Sequence, residues 1–295
     1  MNILESKVDP LKKIIYGGDC HFYTVTFFPK KIQNTLIVCI SSQVGCMEKC
    51  LFCATGNHKF IRNLTSEEIY NEIIDGIECN DSYIRENNIK YLQIAFEGMG
   101  EAYHNIVNCF SGFVSAYPVL SNKFEKIVLR ISSVGNVALV EEYKSFVKEH
   151  SYMEQNVEFE IKFSLHTPFD SERKYLFPSV SNQLSIKSVI EEFYKLSDYL
   201  NSKLICNYVL FQYPSGENNY TTEHFEELSR ILIPEKTKIL LGYYADTNRG
   251  FEAPDETTYI YYRNLLKEKY NVETEIVKLL GRDVNAACGM LNYQP

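Results

Sequence analysis

The feature that most constrains the fold of this chain is a regular alternation of strand-like and helix-like segments. Short runs rich in apolar and β-branched residues recur, and each is followed by a stretch with apolar residues at helical spacing. Such strand–helix units predict a parallel sheet with helices outside it, either an open doubly wound sheet or a partial barrel. The predicted strands are residues 35–40, 91–96, 126–132, 158–165, 204–211 and 238–243. The predicted helices are approximately residues 65–79, 105–116, 137–150, 185–200, 221–232 and 256–270.

The two ends of the chain extend this pattern. HFYTVTFFP, residues 21–29, alternates like an additional strand, and residues 273–277 form another strand-like run. We therefore expect one globular domain in three parts. These are a short N-terminal extension with one strand, a core of alternating units, and a tail that carries GRDVNAACGML, at residues 1–34, 35–278 and 279–295.

Composition limits the class of protein. Hydrophobic residues make up 45% of the 295 residues, so a packed core is expected. No stretch approaches the roughly 18 apolar residues of a membrane span, and the N-terminus lacks the apolar region of a secretory signal. We expect a cytoplasmic protein without a membrane partner. The formal net charge of −8 lowers the expectation of a large polyanionic ligand, although a local basic patch would still permit RNA.

Unusual motifs follow four of the predicted strands. A cysteine-rich loop follows the first strand, EGMGE the second, SSVGN the third, and SLHTP ends the fourth. In parallel sheets and α/β barrels, ligands bind at the carboxyl ends of the strands. The four motifs therefore predict one functional site along that edge.

The cysteine loop, CISSQVGCMEKCLFCATG, contains Cys46, Cys50 and Cys53 at the spacing C-x3-C-x2-C. Three thiolates can hold three irons of a [4Fe–4S] cluster and leave the fourth iron open for a ligand. A structural zinc site, the alternative, requires a fourth ligand, and Cys39 lies unusually far upstream to supply it. The scattered cysteines match no motif and are expected to be structural; they are Cys20, Cys79, Cys109 and Cys206.

The spacing C-x3-C-x-aromatic-C resembles that of radical S-adenosylmethionine (SAM) enzymes. Further motifs resemble the RlmN/Cfr family of that superfamily in their order along residues 39–291: CISSQVGC, RNLTSEEI, GMGE, SLHTP and NAACGML. The resemblance implies a partial (β/α)6 barrel, a [4Fe–4S] cluster held by the three cysteines, and two SAM molecules per turnover. It also implies methylation of carbon 2 or 8 of an adenine in ribosomal or transfer RNA.

The resemblance assigns roles to the two remaining cysteines of the motifs. Cys288, in AACG, would accept a methyl group from one SAM. A radical formed from a second SAM would activate that S-methyl group, which would then join the adenine ring. Cys39 would help to resolve the adduct and would leave a disulfide with Cys288 as an intermediate. In isolation, Cys39 could equally end a buried strand and Cys288 could be an inert thiol.

The other motifs would form the SAM pocket. The glycines of GMGE would allow close approach of the backbone to the ligand, and the glutamate that follows would accept hydrogen bonds from the SAM ammonium group. Strand-end serines would bind ribose hydroxyls or the SAM carboxylate. His166 is expected to be structural, whereas Asp283 and Asn285 either orient the Cys288 loop or are simply exposed. The predicted SAM-binding residues are Gly98, Gly100, Glu101, Ser132, Ser133 and Ser164.

The chain departs from the family mainly on the acceptor side. Only about twenty residues precede the first predicted strand, so we expect the family's N-terminal accessory domain to be lacking. Tyr23 stands where the family has a glutamate, Ala102 where it has a proline, and Glu97 where it has an apolar residue. Every cysteine that the methyl-transfer chemistry requires is present.

Alternatives therefore remain for the acceptor. The same mechanism could act on a small molecule, a nucleoside or a peptide. A non-catalytic iron–sulfur or zinc sensor or scaffold is a reading of another class, but such a protein would need neither Cys39 nor Cys288. The enzyme reading also implies a reducing electron donor such as flavodoxin or ferredoxin. The sequence does not indicate an oligomeric state.

Overall fold

The computed structural model describes residues 1–17, 21–29, 34–180 and 184–291; Cys20 lies outside these ranges. Its main feature is a ten-stranded sheet in the order β1-β2-β3-β4-β7-β8-β9-β10-β11-β12, beside a two-stranded sheet of β5 and β6. The strands are β1 Asn2–Glu5, β2 Leu11–Tyr16, β3 Phe22–Phe27, β4 Thr35–Cys39, β5 Gln43–Val44, β6 Arg62–Asn63, β7 Tyr91–Phe96, β8 Lys126–Ser133, β9 Val157–Ser164, β10 Leu204–Leu210, β11 Thr237–Tyr243 and β12 Glu273–Val277.

From β4 to β12 the neighbouring strands run parallel, and helices connect most of them. The mixed α/β fold with a central parallel sheet confirms the fold class expected from the alternation. The helices are α1 Ser66–Glu78, α2 Asp81–Glu86, α3 Ile106–Lys123, α4 Leu139–Glu149, α5 Asp170–Leu176, α6 Ile186–Tyr199, α7 Thr222–Ile231 and α8 Glu256–Asn264, which continues as a π-helix over Leu265–Lys269.

The N-terminal region contains three strands where the sequence predicted one. β1, β2 and β3 pair antiparallel and extend the parallel sheet at β4. β1 is exposed along its whole length and so carries no apolar alternation. In β2 a buried lysine, Lys13, occupies a core position and obscures the pattern. Both strands depend on pairing with a neighbour, which local sequence does not reveal.

The sheet is strongly curled. A flat sheet would separate β2 from β12 by about 38 Å, because eight strand spacings of about 4.8 Å lie between them. Yet the backbone amide of Gly281, four residues after β12, donates to Asp9 Oδ2 at 2.8 Å, just before β2. Four residues span at most about 14 Å. The two sides of the sheet therefore approach each other, as in a partial barrel.

The two faces of the sheet differ in chemistry. Apolar residues at alternate strand positions pack against the helices in one large core that includes Val38, Ile94, Leu129 and Ile161. The opposite positions of β8 and β9 carry Arg130, Glu160 and Lys162 instead. Within the described residues, no helix is both long enough and apolar enough to cross a membrane. The inner face of the curled sheet is therefore polar and surrounds the site described below.

Helix α1 fixes the start of the site through a buried carboxyl group. Thr65 and Glu68 form the predicted capping box at its N-terminus. One turn further on, Glu72 Oε1 accepts hydrogen bonds from the Thr24 hydroxyl and the Ser41 amide, both at 3.0 Å. Glu72 is fully buried, and burial raises its pKa well above the ordinary value. This carboxyl group joins α1 to β3 and to the segment after β4.

Replacing Glu72 with glutamine tests this junction, because the amide retains an acceptor oxygen and does not titrate. Because the pKa of Glu72 is raised in the folded protein, Glu72 stays protonated there at pH values at which it is ionised in the unfolded chain. In the unfolded chain the proton is lost as the pH rises through the ordinary pKa of 4.5. The unfolding free energy of the wild type should therefore fall as pH rises through this window, and Glu72→Gln should remove that part of the slope. Urea unfolding at several pH values between about 5 and about 8 measures this slope of the unfolding free energy against pH. Glu67→Gln, on the same helix but exposed, should retain the wild-type slope. Equal slopes for the wild type and Glu72→Gln would contradict this account.

Candidate active site

The cysteine loop follows β4, and the loop after β11 holds it in place. Arg249 Nε donates to the Leu51 carbonyl at 2.7 Å, and the Thr247 hydroxyl donates to the Phe52 carbonyl at 3.0 Å. These bonds satisfy backbone carbonyls between Cys50 and Cys53. Carboxyl-end loops of distant strands thus meet at the predicted edge.

Phe52 anchors the loop in an aromatic cluster. Its ring lies edge-on to His166 at 5.0 Å between centroids and stacks with Phe211 at 5.4 Å. Burial lowers the pKa of His166 to about 3, and its Nδ1 accepts from the Val209 amide at 3.0 Å. A neutral histidine fixed in this way packs against Phe52 and Phe177, which is the structural position expected for it.

The three thiols of the loop have the electrostatics of a metal-binding set. Burial raises the pKa of Cys46 to about 12, and it also raises those of Cys50 and Cys53. The charges of Cys46 and Cys53 raise the pKa of Cys50 further. Three neighbouring half-buried thiolates are unfavourable unless a cation binds them, and a metal centre does so directly. The donor set therefore fits an iron–sulfur cluster.

The spacing of the possible ligands separates a cluster from a single ion. Within residues 1–17, 21–29, 34–180 and 184–291, no three His, Cys, Asp or Glu side chains converge closely enough to hold one metal ion. A four-iron cluster spreads its cysteines more widely than a tetrahedral zinc ion does. Three thiols on one loop that do not converge on a single point are thus compatible with a cluster, and the zinc site stays the alternative.

Two buried carboxylates lie near these thiols. The charges of Glu101 and Glu48 both act on Cys46 and Cys50. Glu101 Oε2 accepts a hydrogen bond from the Val134 amide at 3.1 Å. Burial raises the pKa of Glu101 to about 7; a hydrogen bond from Ser133 lowers this pKa, and the charge of Glu48 raises it. Glu101 Oε1 and Glu48 Oε2 are buried without a hydrogen-bond partner among the described residues. Unpaired buried acceptors beside a cofactor loop are suited to a ligand that brings donors, such as an ammonium group.

Two cations near the site were not identified from the sequence. His104 Nε2 lies 2.5 Å from Glu48 Oε1, and this contact raises the pKa of His104.

Arg173, the second cation, is buried on α5 and donates to the carbonyls of Ser164 and Leu165, both at 3.0 Å, and to that of Val134. Arg173 thereby ties together the ends of β8 and β9. It lies just after the SLHTP motif, which is the only signal in the sequence that points to it.

The two predicted glycines adjoin the segment after β4. A Cβ on Gly98 would lie 2.6 Å from the Ile40 carbonyl oxygen. Gly100 has φ +101, and a Cβ there would lie 2.7 Å from Gln43 and from Ser42 Oγ. Both glycines are therefore required for packing of the GMGE loop against the protein itself. Their approach to SAM stays a prediction.

The three predicted serines occupy different environments. Strand alternation places Ser132 and Ser133 on opposite faces of β8. The Ser132 hydroxyl is buried with no partner among the described residues, whereas Ser133 Oγ accepts from the amides of Gly135 and Asn136. Ser164 ends β9 on the same face as Lys162. Ser132 and Ser164 thus share the inner face, and the Ser133 hydroxyl shapes its own turn.

The Cys288 turn lies directly against the cysteine loop after β4, which we term the cluster loop. The Gly289 carbonyl accepts from the Ala54 amide at 2.9 Å and lies 3.8 Å from Cys53 Sγ. Cys288 is exposed. Residues 279–291 of the tail are therefore folded into the site instead of extending away from it.

Cys39 lies on the other side of the same tail. It ends β4, is half-buried, and packs in a cluster with Met99, Ala286 and Leu291. Burial raises the pKa of Cys39, and the charge of Cys288 raises it further. The structure therefore brings the two non-cluster cysteines of the motifs into one electrostatic neighbourhood. The remaining described cysteines do not take part in this group of thiols; they are Cys79, Cys109 and Cys206. Cys109 and Cys206 are buried in the core.

A buried ion pair adjoins both thiols. Lys162 Nζ donates to Glu97 Oε2 at 2.8 Å, and these side chains are only 11% and 18% exposed. Loss of hydration is the main influence that raises the pKa of Cys39 and also that of Cys288, although Cys288 is the more accessible residue. At both thiols the charge of Lys162 lowers the pKa and the charge of Glu97 raises it. Arg130, paired with Glu160 at 2.6 Å, lies 3.9 Å from Glu97 Oε1. The charge of Glu97, which follows β7, is thus neutralised by a lysine on β9, two strands away in the sheet.

Comparisons with curated proteins give a consistent family. No protein-family model matches the chain. It is 29% identical over 294 residues to the dual-specificity RNA methyltransferase RlmN of Buchnera aphidicola subsp. Acyrthosiphon pisum (strain APS), covering 95% of this chain and 75% of the relative. It is 30% identical over 301 residues to the RlmN of Buchnera aphidicola subsp. Schizaphis graminum (strain Sg), covering 98% and 76%.

A solved structure has the same fold. A radical SAM methyltransferase from Sphaerobacter thermophilus superimposes with a TM-score of 0.81, at 22% identity, over 100% of this chain and 81% of that protein. The fold class and the family resemblance read from the sequence are both confirmed. On its identity to curated relatives over nearly its whole length, the chain belongs to the RlmN family of radical SAM RNA methyltransferases.

Proposed function

We propose that this protein methylates an sp2 carbon, carbon 2 or 8 of an adenine in RNA, through a methyl group carried on Cys288. The observation that carries the proposal is the contact of the Cys288 turn with the cluster loop. The Gly289 carbonyl meets the Ala54 amide and Cys53 Sγ, while the same tail covers Cys39. The name shared by the curated relatives supports RNA as the acceptor.

In the first half of the reaction Cys288 is the nucleophile. Its thiolate forms a bond to the SAM methyl carbon as the methyl–sulfonium bond breaks, and S-adenosylhomocysteine leaves. Lys162 favours the thiolate and Glu97 limits that effect. Cys39 stands beside the tail to act on the covalent enzyme–RNA adduct. Its thiolate would attack the Cys288 sulfur of that adduct and form the S–S bond as the bond from this sulfur to the transferred carbon breaks, with the electron pair leaving on the adenine-bound carbon. Both thiols are therefore needed, at different stages.

Cys46, Cys50 and Cys53 would hold a [4Fe–4S] cluster, which supplies the reductive cleavage of a second SAM. Glu101 would accept a hydrogen bond from the SAM ammonium through its unpaired Oε1. Ser132 would offer its unpaired hydroxyl from the inner face, with Ser164 on the same side. Gly98, Gly100 and Ser133 shape the loops around them. A low-potential donor such as flavodoxin or ferredoxin would reduce the cluster, in the cytoplasm, where thiols stay reduced.

A small molecule or nucleoside is a second candidate acceptor. The inner face carries Glu97 and Lys162, whose charges act on both thiols, and the paired Arg130 and Glu160 beside them; the whole chain is acidic. Such a lining suits a small polar acceptor as well as an extruded base. The experiment below separates the two.

Cysteine variants test the order of events. We expect mass spectrometry of anaerobically purified wild type to show S-methylation at Cys288 and none in Cys288→Ala. With reductant and adenine-containing rRNA or tRNA transcripts, we expect Cys39→Ala to accumulate a covalent enzyme–RNA adduct. Cys79→Ala, which removes a half-buried thiol at the end of α1, is the matched control and should behave as wild type. An unmodified Cys288 in SAM-loaded wild type would contradict the carrier role. A methylated Cys288 that transfers to free adenosine and to no RNA would favour the second candidate acceptor.

Metal analysis tests the cofactor independently of activity. We expect about four irons per chain after reconstitution, with broad visible absorption that decreases on reduction. Cys50→Ala should lose most of the iron because the cluster then has two protein ligands, whereas Cys206→Ala, in the core behind the sheet, should retain it. Stoichiometric zinc without iron in the wild type would exclude this reaction and favour the sensor or scaffold reading.

A further inference from the structure

The turn that carries Cys288 has little regular structure of its own. A short 3-10 helix, Arg282–Val284, precedes it, and Asn285 has a left-handed φ of 50°. Inside the turn, the Met290 amide donates to the Ala287 carbonyl at 2.9 Å. No strand or helix ladder holds the remaining backbone. The position of Cys288 therefore depends on contacts from elsewhere in the chain.

Lys13 makes two of those contacts. Its Nζ donates to the Asn285 carbonyl at 2.8 Å and to the Leu291 carbonyl at 3.1 Å. These carbonyls lie three residues before and three residues after Cys288. One ammonium group on β2 thus joins both ends of the turn.

The surroundings of Lys13 make this arrangement specific. The residue is only 4% exposed, and burial lowers its pKa to about 8. Its ammonium lies 4.4 Å from the centre of the Tyr23 ring, which provides a favourable π face. No carboxylate of the described residues offsets the loss of hydration. The two tail carbonyls are therefore the hydrogen-bond acceptors that make burial of this charge tolerable.

The other hydrogen bonds of the N-terminal strands hold the entry to the turn. Asp283 accepts from the Ser6 hydroxyl and the Lys7 amide, both at 2.8 Å. Asp9 accepts from the Gly281 amide at the same distance. All of these bonds lie before Asn285. At the two ends of the turn, apolar packing of Ala286 and Leu291 against β2 and β3 accompanies the two hydrogen bonds from Lys13, which supply the polar part of the closure.

We propose that Lys13 is a positioning residue for the methyl carrier, which holds the Cys288 turn closed so that its thiol stays beside Cys39 and the cluster loop. The inference rests on the proposed role of Cys288. Displacement of a reacting atom by about 1 Å can lower a rate on the order of a hundredfold. Loss of two charge-assisted hydrogen bonds would remove the polar contacts that hold both ends of the turn and so loosen the position of the thiol.

The adjacent lysine provides a matched control. Lys12 Nζ also donates to a backbone carbonyl, that of Cys79 at 2.7 Å, but at the end of α1 and away from the tail. Lys12→Met and Lys13→Met remove the same chemical group from neighbouring positions of β2. Lys13→Arg retains a cation with donors for the two carbonyls.

Hydrogen exchange gives a readout that is independent of activity. In Lys13→Met we expect amide exchange across residues 285–291 to accelerate about tenfold or more. The initial rate of Cys288 methylation should fall to a similar degree, with an unchanged dissociation constant for SAM. Lys13→Arg should recover part of both effects, and Lys12→Met should leave both at wild-type values.

The outcomes are distinct. Wild-type exchange across residues 285–291 in Lys13→Met would overturn the proposal. So would acceleration spread evenly over the sheet, since Lys13 would then serve overall stability alone. If wild-type Cys288 never becomes methylated, the proposed function fails, while the exchange data still decide whether Lys13 closes the turn.

Discussion

The hydrogen bond from the Ala54 amide to the Gly289 carbonyl is the contact on which the organisation of the site depends. Ala54 follows the cluster cysteines after β4, and Gly289 follows the last strand of the sheet. In sheet order these strands are far apart, so the bond can form only because the sheet curls and the tail crosses its opening. The N-terminal strands complete this closure, since Asp9 and Lys13 hold the tail from the antiparallel side. The fold thereby holds residues 285–291, which form no strand or helix of their own, at a fixed point beside the cluster loop.

The polarity of the inner face follows from the same curvature. A flat sheet covered by helices on one face only would expose the opposite face to water, whereas curling encloses it. Arg130, Glu160, Lys162 and Glu97 then lie where single charges would be poorly hydrated. They occur as hydrogen-bonded pairs, which is the arrangement that makes burial of charge tolerable. Glu101 and Ser132 retain unpaired buried atoms nearby. Within this enclosed face, unpaired polar groups mark the places that remain for ligands.

Local patterns in the sequence predicted much of the sheet and the edge at which the motif residues lie, whereas the roles of those residues stay predictions. Residues 91–96 and 273–277 form strands with the predicted bounds, because alternation and β-branched runs are local signals. The motif cysteines come together because strand ends share one edge. The strands β1 and β2 were missed because one is exposed throughout and the other buries a lysine.

The contacts that were not predictable join residues far apart in the chain. Lys13 and Asn285 are separated by 272 positions, and no local pattern indicates that a lysine in β2 serves the tail. Arg173 lacks a signal for a similar reason, since its partners are backbone carbonyls, which any sequence supplies. The opposite orientations of Ser132 and Ser133, in contrast, follow from strand alternation alone and were within reach of the sequence.

Glu97 shows how a departure from the family is accommodated physically. A carboxylate at this position, introduced alone, would be a buried charge without a partner, a defect that costs on the order of 3–5 kcal/mol. Lys162, on the inner face of β9, removes that cost by pairing with it at 2.8 Å. Because each charge depends on the other, the two residues form one unit. That unit acts on the thiols of both Cys39 and Cys288, with Lys162 favouring and Glu97 disfavouring the thiolate at each. A change at Glu97 therefore alters the surroundings of Cys288 and of Cys39 together.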